Sequence, residues 1–223
     1  MDDNRSEADM NMFRLSKTIV LLLPVLFVGL LACKAEEEEL DIDSILPLVN
    51  GTLTDNGNGT VSHILNGQGL TWLKCAQGQV WNASLNNCAG TGGGTTYGAV
   101  SLQFCSTLTG NYADCTTSDA TTPTATSGPA FTSCDDLVFA GFSDWRMPGQ
   151  SELVSLASGL NRTSFLLLFP QTPDDKSFWT RDGNSGQSNG SEAYSVNFAT
   201  NTFGEFSTTQ KDSVLYVRCI RNS

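Results

Sequence analysis

The chain is poor in the residues that most chemistry requires. Its 223 residues include one histidine, His63, and none of the seven cysteines falls in a C-x-x-C spacing. A zinc site built from Cys and His is therefore not expected. No Gly-rich phosphate loop, no Ser/His/Asp order and no metal-ligand spacing occurs, and no pair of carboxylates has the context of an acid/base dyad. The reading is of a protein with no cofactor, no metal and no enzymatic activity. Basic residues are also scarce: from Gly51 onward, thirteen Asp and Glu stand against eight Lys and Arg, a net of −5. That balance argues against nucleic acid and against a broad polyanion-binding surface. Long apolar runs are missing too. Thr18 to Ala32 is uncharged for fifteen residues, which spans about 22 Å as a helix, short of the roughly 30 Å core of a bilayer.

What that run does fit is an export signal. Arg14 and Lys17 precede it, and Leu30-Leu31-Ala32-Cys33 closes it with a small residue directly before a cysteine. This is the pattern of a bacterial lipoprotein signal peptide, residues 1–33, with Cys33 as the lipidated N-terminus of the mature protein. Leu31 makes the lipobox loose, as in spirochaete lipoproteins. Asp2, Asp3, Glu7 and Asp9 do not suit a basic leader, so translation is read as starting at Met10 or Met12. The expected partner is the membrane, through the lipid anchor, and the expected location is the bacterial cell envelope at the outer membrane. Residues 34–50, with Glu36 to Glu39 adjacent, read as an acidic flexible tether because neighbouring carboxylates repel and bury nothing.

Setting Cys33 aside leaves Cys75, Cys88, Cys105, Cys115, Cys134 and Cys219, an even number that suits an oxidising compartment. Six cysteines allow fifteen pairings, and spacing does not decide among them. Short loops favour Cys75–Cys88 and Cys105–Cys115, which would leave Cys134–Cys219 to tie the two ends of the body together.

Residues 51–223 form one domain by length. Its class is α+β: two short helices, antiparallel strands and long loops. Asp55 to Thr60 reads as a hairpin turn and not as a calcium loop, since Gly57 and Gly59 occupy positions where an EF-hand needs oxygen ligands. A strand follows at Gly69 to Leu73, with Trp72 in the core. Residues 116–130, rich in Thr, Ser and Pro, read as an exposed, disordered loop, and Gly90 to Gly94 as another loose one. One helix is expected over Ser133 to Phe139, with Cys134, Leu137 and Val138 on one face. A second opens at Pro148 or just after it, where Gly149 and Glu152 resemble a capping box, and carries Leu153, Leu156 and Leu160 at helical spacing. The tail, from Ser177 through Tyr194 to Phe198 and Phe203 to Phe206 and closing on Val214 to Arg221, reads as a β-meander. Trp145 and Trp179 should fill the core. Arg146 is read as bonding backbone carbonyls or a carboxylate, Glu152 or Asp144. Arg218 and Arg221 are read as rim charges and His63 as a surface residue.

Asp144-Trp145-Arg146-Met147-Pro148 with Glu152-Leu153, then Phe178-Trp179-Thr180, then Tyr216-Val217-Arg218-Cys219-Ile220-Arg221, resemble the motifs of the Lcl-type C-terminal domain, over about residues 50 to 222. That module takes its name from the end of a bacterial collagen-like adhesin. The resemblance implies a fold similar to C-type lectins and to formylglycine-generating (sulfatase-modifying) enzymes, which share an Arg-Leu-Pro-Thr helix start. It implies that Cys134 and Cys219 pair, and that Trp145, Arg146, Pro148, Glu152, Trp179 and Arg218 are structural motif residues. Two positions depart from the pattern: Gly149 replaces the usual Thr, and Arg181-Asp182 replaces small hydroxyl residues. The family's adhesin suggests binding of an extracellular glycan or protein. Calcium-dependent sugar binding of the lectin kind is not supported, since neither Glu-Pro-Asn nor Gln-Pro-Asp occurs. The alternatives are an envelope structural or assembly protein and, last, an enzyme of the formylglycine-generating type. Loops 90–94, 116–130 and 181–191 are the candidate ligand loops. Arg181, Asp182, Asn184 and Asn189 supply donors and acceptors in the last of them.

Overall fold

The computed structural model describes residues 52–90, 94–106, 115–117, 123–186 and 190–223. Cys33, the leader, the acidic tether and Asn189 lie outside them. Within them, Leu53–Asp55 (β1), Thr60–Leu65 (β2) and Gln68–Leu73 (β3) run antiparallel. The first reversal is the expected turn: Asp55 Oδ1 accepts the Gly57 N–H at 2.8 Å, and Gly57 and Gly59 take φ of 72° and 87°, a region that glycine enters without steric cost. The second is an Asn66-Gly67 pair with φ of 51° and 80°, the signature of a two-residue hairpin. The last strand, Ile220–Asn222 (β11), closes this sheet on β3, pairing Ile220 with Trp72.

Smaller ladders follow: Gln79–Asn82 (β4) on Asn87–Gly90 (β5), and Leu102–Gln103 (β6) on Val214–Leu215 (β10). A three-stranded sheet orders Phe178–Gly183 (β7), Glu192–Val196 (β8) and Phe206–Gln210 (β9) as a meander, with an irregularity between Trp179 and Gly183. The tail beyond β9 does not extend that meander. Tyr216, Val217, Arg218 and Cys219 are all buried, so this stretch lacks the exposed face a meander strand would have. It crosses the core between β7 and β3, with Trp179 N–H donating to Tyr216 O at 2.8 Å and Leu73 N–H to Cys219 O at 3.0 Å.

Three α-helices form among the described residues, one more than the sequence suggested. Pro129–Asp135 (α1) begins four residues before the expected Ser133. Proline holds the first helical position after Gly128, and the chain leaves the helix at Asp136. Beyond it Phe139 and Phe142 exchange backbone hydrogen bonds at 3.0 Å, and Val138, expected on the buried face, is 73% exposed. Gln150–Ser155 (α2) starts at Gly149 as anticipated. Arg162–Leu168 (α3) follows a cap in which Asn161 accepts the Ser164 N–H at 2.9 Å.

Residues 116–130 are not simply a loose loop. Thr116 bridges Ala125, Thr124 bridges Asp182 of β7, Ala125 N–H donates to Arg181 O at 2.8 Å, and Ala125 and Ala130 are buried. Backbone pairing to the edge of β7 organises this polar stretch, which side-chain composition does not reveal; residues 118–122 lie outside the described ones. Gly90 packs on Gly78 and Gly98 so closely that an added Cβ would fall 2.7 Å from Gly78 O.

The core has two buried clusters. One gathers Trp145, Trp179, Phe104 and Val217 around the Cys134–Cys219 bond. The other gathers Trp72, Leu153, Leu156, Phe165, Phe169, Phe178, Phe198 and Tyr216, with Phe165 stacked on Phe198 at 4.8 Å. Cys75–Cys88, Cys105–Cys115 and Cys134–Cys219 pair at Cα–Cα distances of 5.4, 5.7 and 5.6 Å, within the range a disulfide spans.

Candidate functional site

The Trp145–Glu152 segment builds a polar knot at the start of α2. Arg146 forks onto Glu152, Nη1 to Oε2 at 2.8 Å and Nη2 to Oε1 at 2.7 Å, and Nη2 also reaches Asn222 Oδ1 at 2.8 Å. Glu152 Oε2 accepts the Gly149 N–H at 2.7 Å. Burial raises the Glu152 pKa, but the Arg146 bonds, the Gly149 N–H and the charges of Arg146 and Arg181 outweigh it and hold the carboxyl below its ordinary value. Asp144, the other candidate partner of Arg146, turns to Arg221 at 2.7 Å instead, and that guanidinium lies 3.9 Å over the Phe142 ring.

Glycine at 149 has no side chain with which to cap α2. Asp182 fills the gap from β7: its Oδ2 accepts the Gln150 N–H at 2.6 Å. A Cβ added at Gly149 would lie 3.4 Å from that same oxygen. The two departures from the family pattern therefore meet in space. Asp182, offered by the sequence as a ligand residue, is engaged in holding a helix terminus.

Arg181 beside it is half-exposed, with Nε 3.8 Å from Asp182 Oδ1. Asn184 links its own loop to β8. Its Oδ1 accepts the Gly186 N–H at 3.0 Å and its Nδ2 donates to Glu192 Oε2 at 3.3 Å. Residues 123–125 come together with residues 181–183 of β7, whereas Gly90 packs against Gly78 and Gly98.

Two side chains read as surface groups are buried. Arg218 is fully buried and donates to Leu73 O at 3.0 Å, to Lys74 O and to Thr172 Oγ1 at 2.7 Å, between the Phe169 and Phe178 rings. Burial pushes its pKa down to about 9. His63 is buried, with Nδ1 accepting the Trp72 indole N–H at 3.3 Å. Lys74 is also enclosed, 2.5 Å from Asp55 Oδ2, 3.1 Å from Asn86 Oδ1 and 4.5 Å over the Trp81 ring. Arg218, His63 and Lys74 serve the fold and are out of a ligand's reach. Among the described residues, no group of three or more His, Cys, Asp or Glu is placed to hold a metal, and no helix is long and apolar enough to cross a membrane.

The outer face of β8 and β9 has a different character. Glu192, Tyr194, Phe206, Thr208 and Gln210 project there, while Ala193 and Ser195 point inward and are buried. Phe206 is 57% exposed, and its ring meets that of Tyr194 at 6.4 Å and 67°.

A protein-family profile described as the Lcl C-terminal domain matches residues 59–221, most of the chain and every motif residue above. The chain belongs to that family. No curated protein matches it. Within this Lcl C-terminal domain, Trp145, Arg146, Glu152, Trp179 and Arg218 build the α2 start and the buried crossing of the tail. The residues that sequence reasoning passed over left signals in the chain. Gly128-Pro129 marks the true start of α1, Asn161 and Ser164 carry the cap of α3, and alternation across Glu192 to Ser195 separates the outer face of β8 from the inner one.

Proposed function

We propose that this chain is a lipid-anchored cell-envelope protein whose Lcl C-terminal domain, with a C-type-lectin-like arrangement, binds an extracellular ligand in adhesion. The observation that carries the reading is the outer face of β8 and β9. It keeps a large aromatic ring, Phe206, 57% exposed on a strand, on a scaffold stapled by three disulfides. Exposed aromatic surface beside fixed polar groups is where binding concentrates. The Leu30-Leu31-Ala32-Cys33 sequence supports the anchor, and the tether of residues 34–50 would hold the domain clear of the membrane. The test has two arms. Cys33→Ser should leave uncleaved precursor and abolish partitioning into a detergent phase; unchanged partitioning refutes the anchor. Proteinase added to intact cells should remove the domain, because an inward-facing protein cannot be an adhesin. Protection in intact cells would favour a structural or assembly role in the envelope.

A further inference from the structure

We infer that the outer face of the β7–β8–β9 sheet is a binding site for an uncharged carbohydrate, formed by the aromatic corner of Tyr194 and Phe206 and the side-chain row Asn184, Glu192 and Gln210. This rests on the ligand-binding reading above and names the chemistry of the ligand. A pyranose presents an apolar face of C–H groups and a rim of hydroxyls, so a matching site needs an aromatic surface and, beside it, short-range donors and acceptors. The cross-strand register supplies both. Tyr194 lies opposite Thr208, Glu192 opposite Gln210, and Phe206 opposite Val196, so these side chains share one face, which is open from Gln210 to Phe206 on β9 and closes on β8 at the buried Val196. The rings of Tyr194 and Phe206 meet at 67° with centroids 6.4 Å apart, and Thr208, opposite Tyr194, lies on the same face. From Phe206 to Gln210 the strand advances about 13 Å, room for a disaccharide.

The polar row is fixed before any ligand arrives. Glu192 Oε1 accepts from Gln210 Nε2 at 3.1 Å and Oε2 from Asn184 Nδ2 at 3.3 Å. Side chains already held in place lose less entropy on binding, which preserves affinity. The hydroxyls of Tyr194 and Thr208 make no internal hydrogen bond among the described residues and stay available to a sugar. Charge sets the ligand class. No lysine or arginine stands among these six residues, and the one ionised group is a carboxylate. A sulfated or uronate-rich chain would meet that carboxylate with no countercharge, in a domain of net −5. An uncharged glycan meets no such penalty.

The experiment is an array carrying uncharged, sialylated and sulfated oligosaccharides together with purified matrix proteins, probed with the full chain in nonionic detergent. Binding is expected on uncharged glycans. Phe206→Ala and Gln210→Ala, both at exposed positions, should each lower it by about tenfold or more while the Tm stays unchanged. Absence of binding to every uncharged glycan, binding confined to sulfated ones, or full binding by Phe206→Ala overturns the inference. If matrix-protein spots are bound equally by the wild type and Phe206→Ala, the adhesion reading stands and the carbohydrate assignment falls. If nothing on the array is bound and proteinase does not reach the domain on cells, the adhesion reading falls as well.

Discussion

Arg218 offers the sharpest test of how this fold is held together. It is a fully buried guanidinium whose hydrogen-bond acceptors are the backbone carbonyls of Leu73 and Lys74 and the hydroxyl of Thr172. Two effects oppose each other. Removing the cation relieves its desolvation, and a buried charge replaced by an apolar side chain of similar size is often neutral or stabilising. Against that, the substitution strands two buried carbonyls, each worth about 1–3 kcal/mol when left unsatisfied. Nε of Arg218 already lacks a partner, so the native arrangement carries part of the desolvation cost and still recruits all three acceptors. The stranded carbonyls should win. Arg218→Met, which keeps most of the packing between Phe169 and Phe178, should cost about 2–4 kcal/mol. Arg218→Ala should cost roughly 2 kcal/mol more, because a cavity adds to the loss. Urea unfolding of the wild type and both variants at neutral pH gives the comparison directly. An Arg218→Met variant as stable as the wild type, or more stable, would mean that desolvation outweighs the hydrogen bonds and would refute the reasoning.

Glu152 should give the domain an acid-sensitive element. Its folded pKa is depressed, so its contribution is present above its unfolded pKa and is lost as pH falls through the folded one. Glu152→Gln should lose about 1 kcal/mol at neutral pH, a figure discounted for the partly exposed Arg146 partner, and its urea midpoint should fall less than that of the wild type as pH drops below the carboxylate range. Equal slopes in the two proteins would count against the Arg146–Glu152 account. Asp182→Ala removes the acceptor for the Gln150 N–H and should cost about 1 kcal/mol; adding Gly149→Thr, whose hydroxyl would take the Ser151 or Glu152 N–H of the same turn, should offset most of that cost, as thermal unfolding of the single and double variants would show.

Much of this fold is legible in local sequence because its signals are local. The Asp55 turn, the Glu152 helix start and the order of β7, β8 and β9 depend on residues within a few positions of each other. The burial of Arg218 and His63 is different. Arg218 finds its partners 46, 144 and 145 residues away, and no window of the chain contains them. His63 is buried because Trp72, across a hairpin, donates to it. In each case a polar residue in a strand was read as exposed. The rule that polar groups face water gave way to the rule that a buried polar group needs a partner. The same logic explains residues 123–126, which are held by backbone bonds to β7 that composition cannot announce.

The candidate site was legible by position and not by residue. Arg181, Asp182 and Asn184 do sit together at the end of β7, but they differ in what they do. Asp182 caps α2 and Asn184 binds Glu192. What singled out Asp182 was that it departs from the family pattern, and the departure has a structural cause. A helix start without a capping hydroxyl leaves a backbone N–H to be satisfied. A carboxylate on the adjacent strand takes another donor of the same first turn, the Gln150 N–H, so residues 149 and 182 act on one helix start. An unusual residue in a loop is thus as readily the answer to a change elsewhere in the fold as a contact for a ligand. The outer row of β8 and β9 makes the converse case. Phe206 and Thr208 bury little and cap nothing, although the strand that carries them is held in register by β8. Side chains spared from structural duty on a rigid strand are the ones whose loss should change binding and leave stability alone.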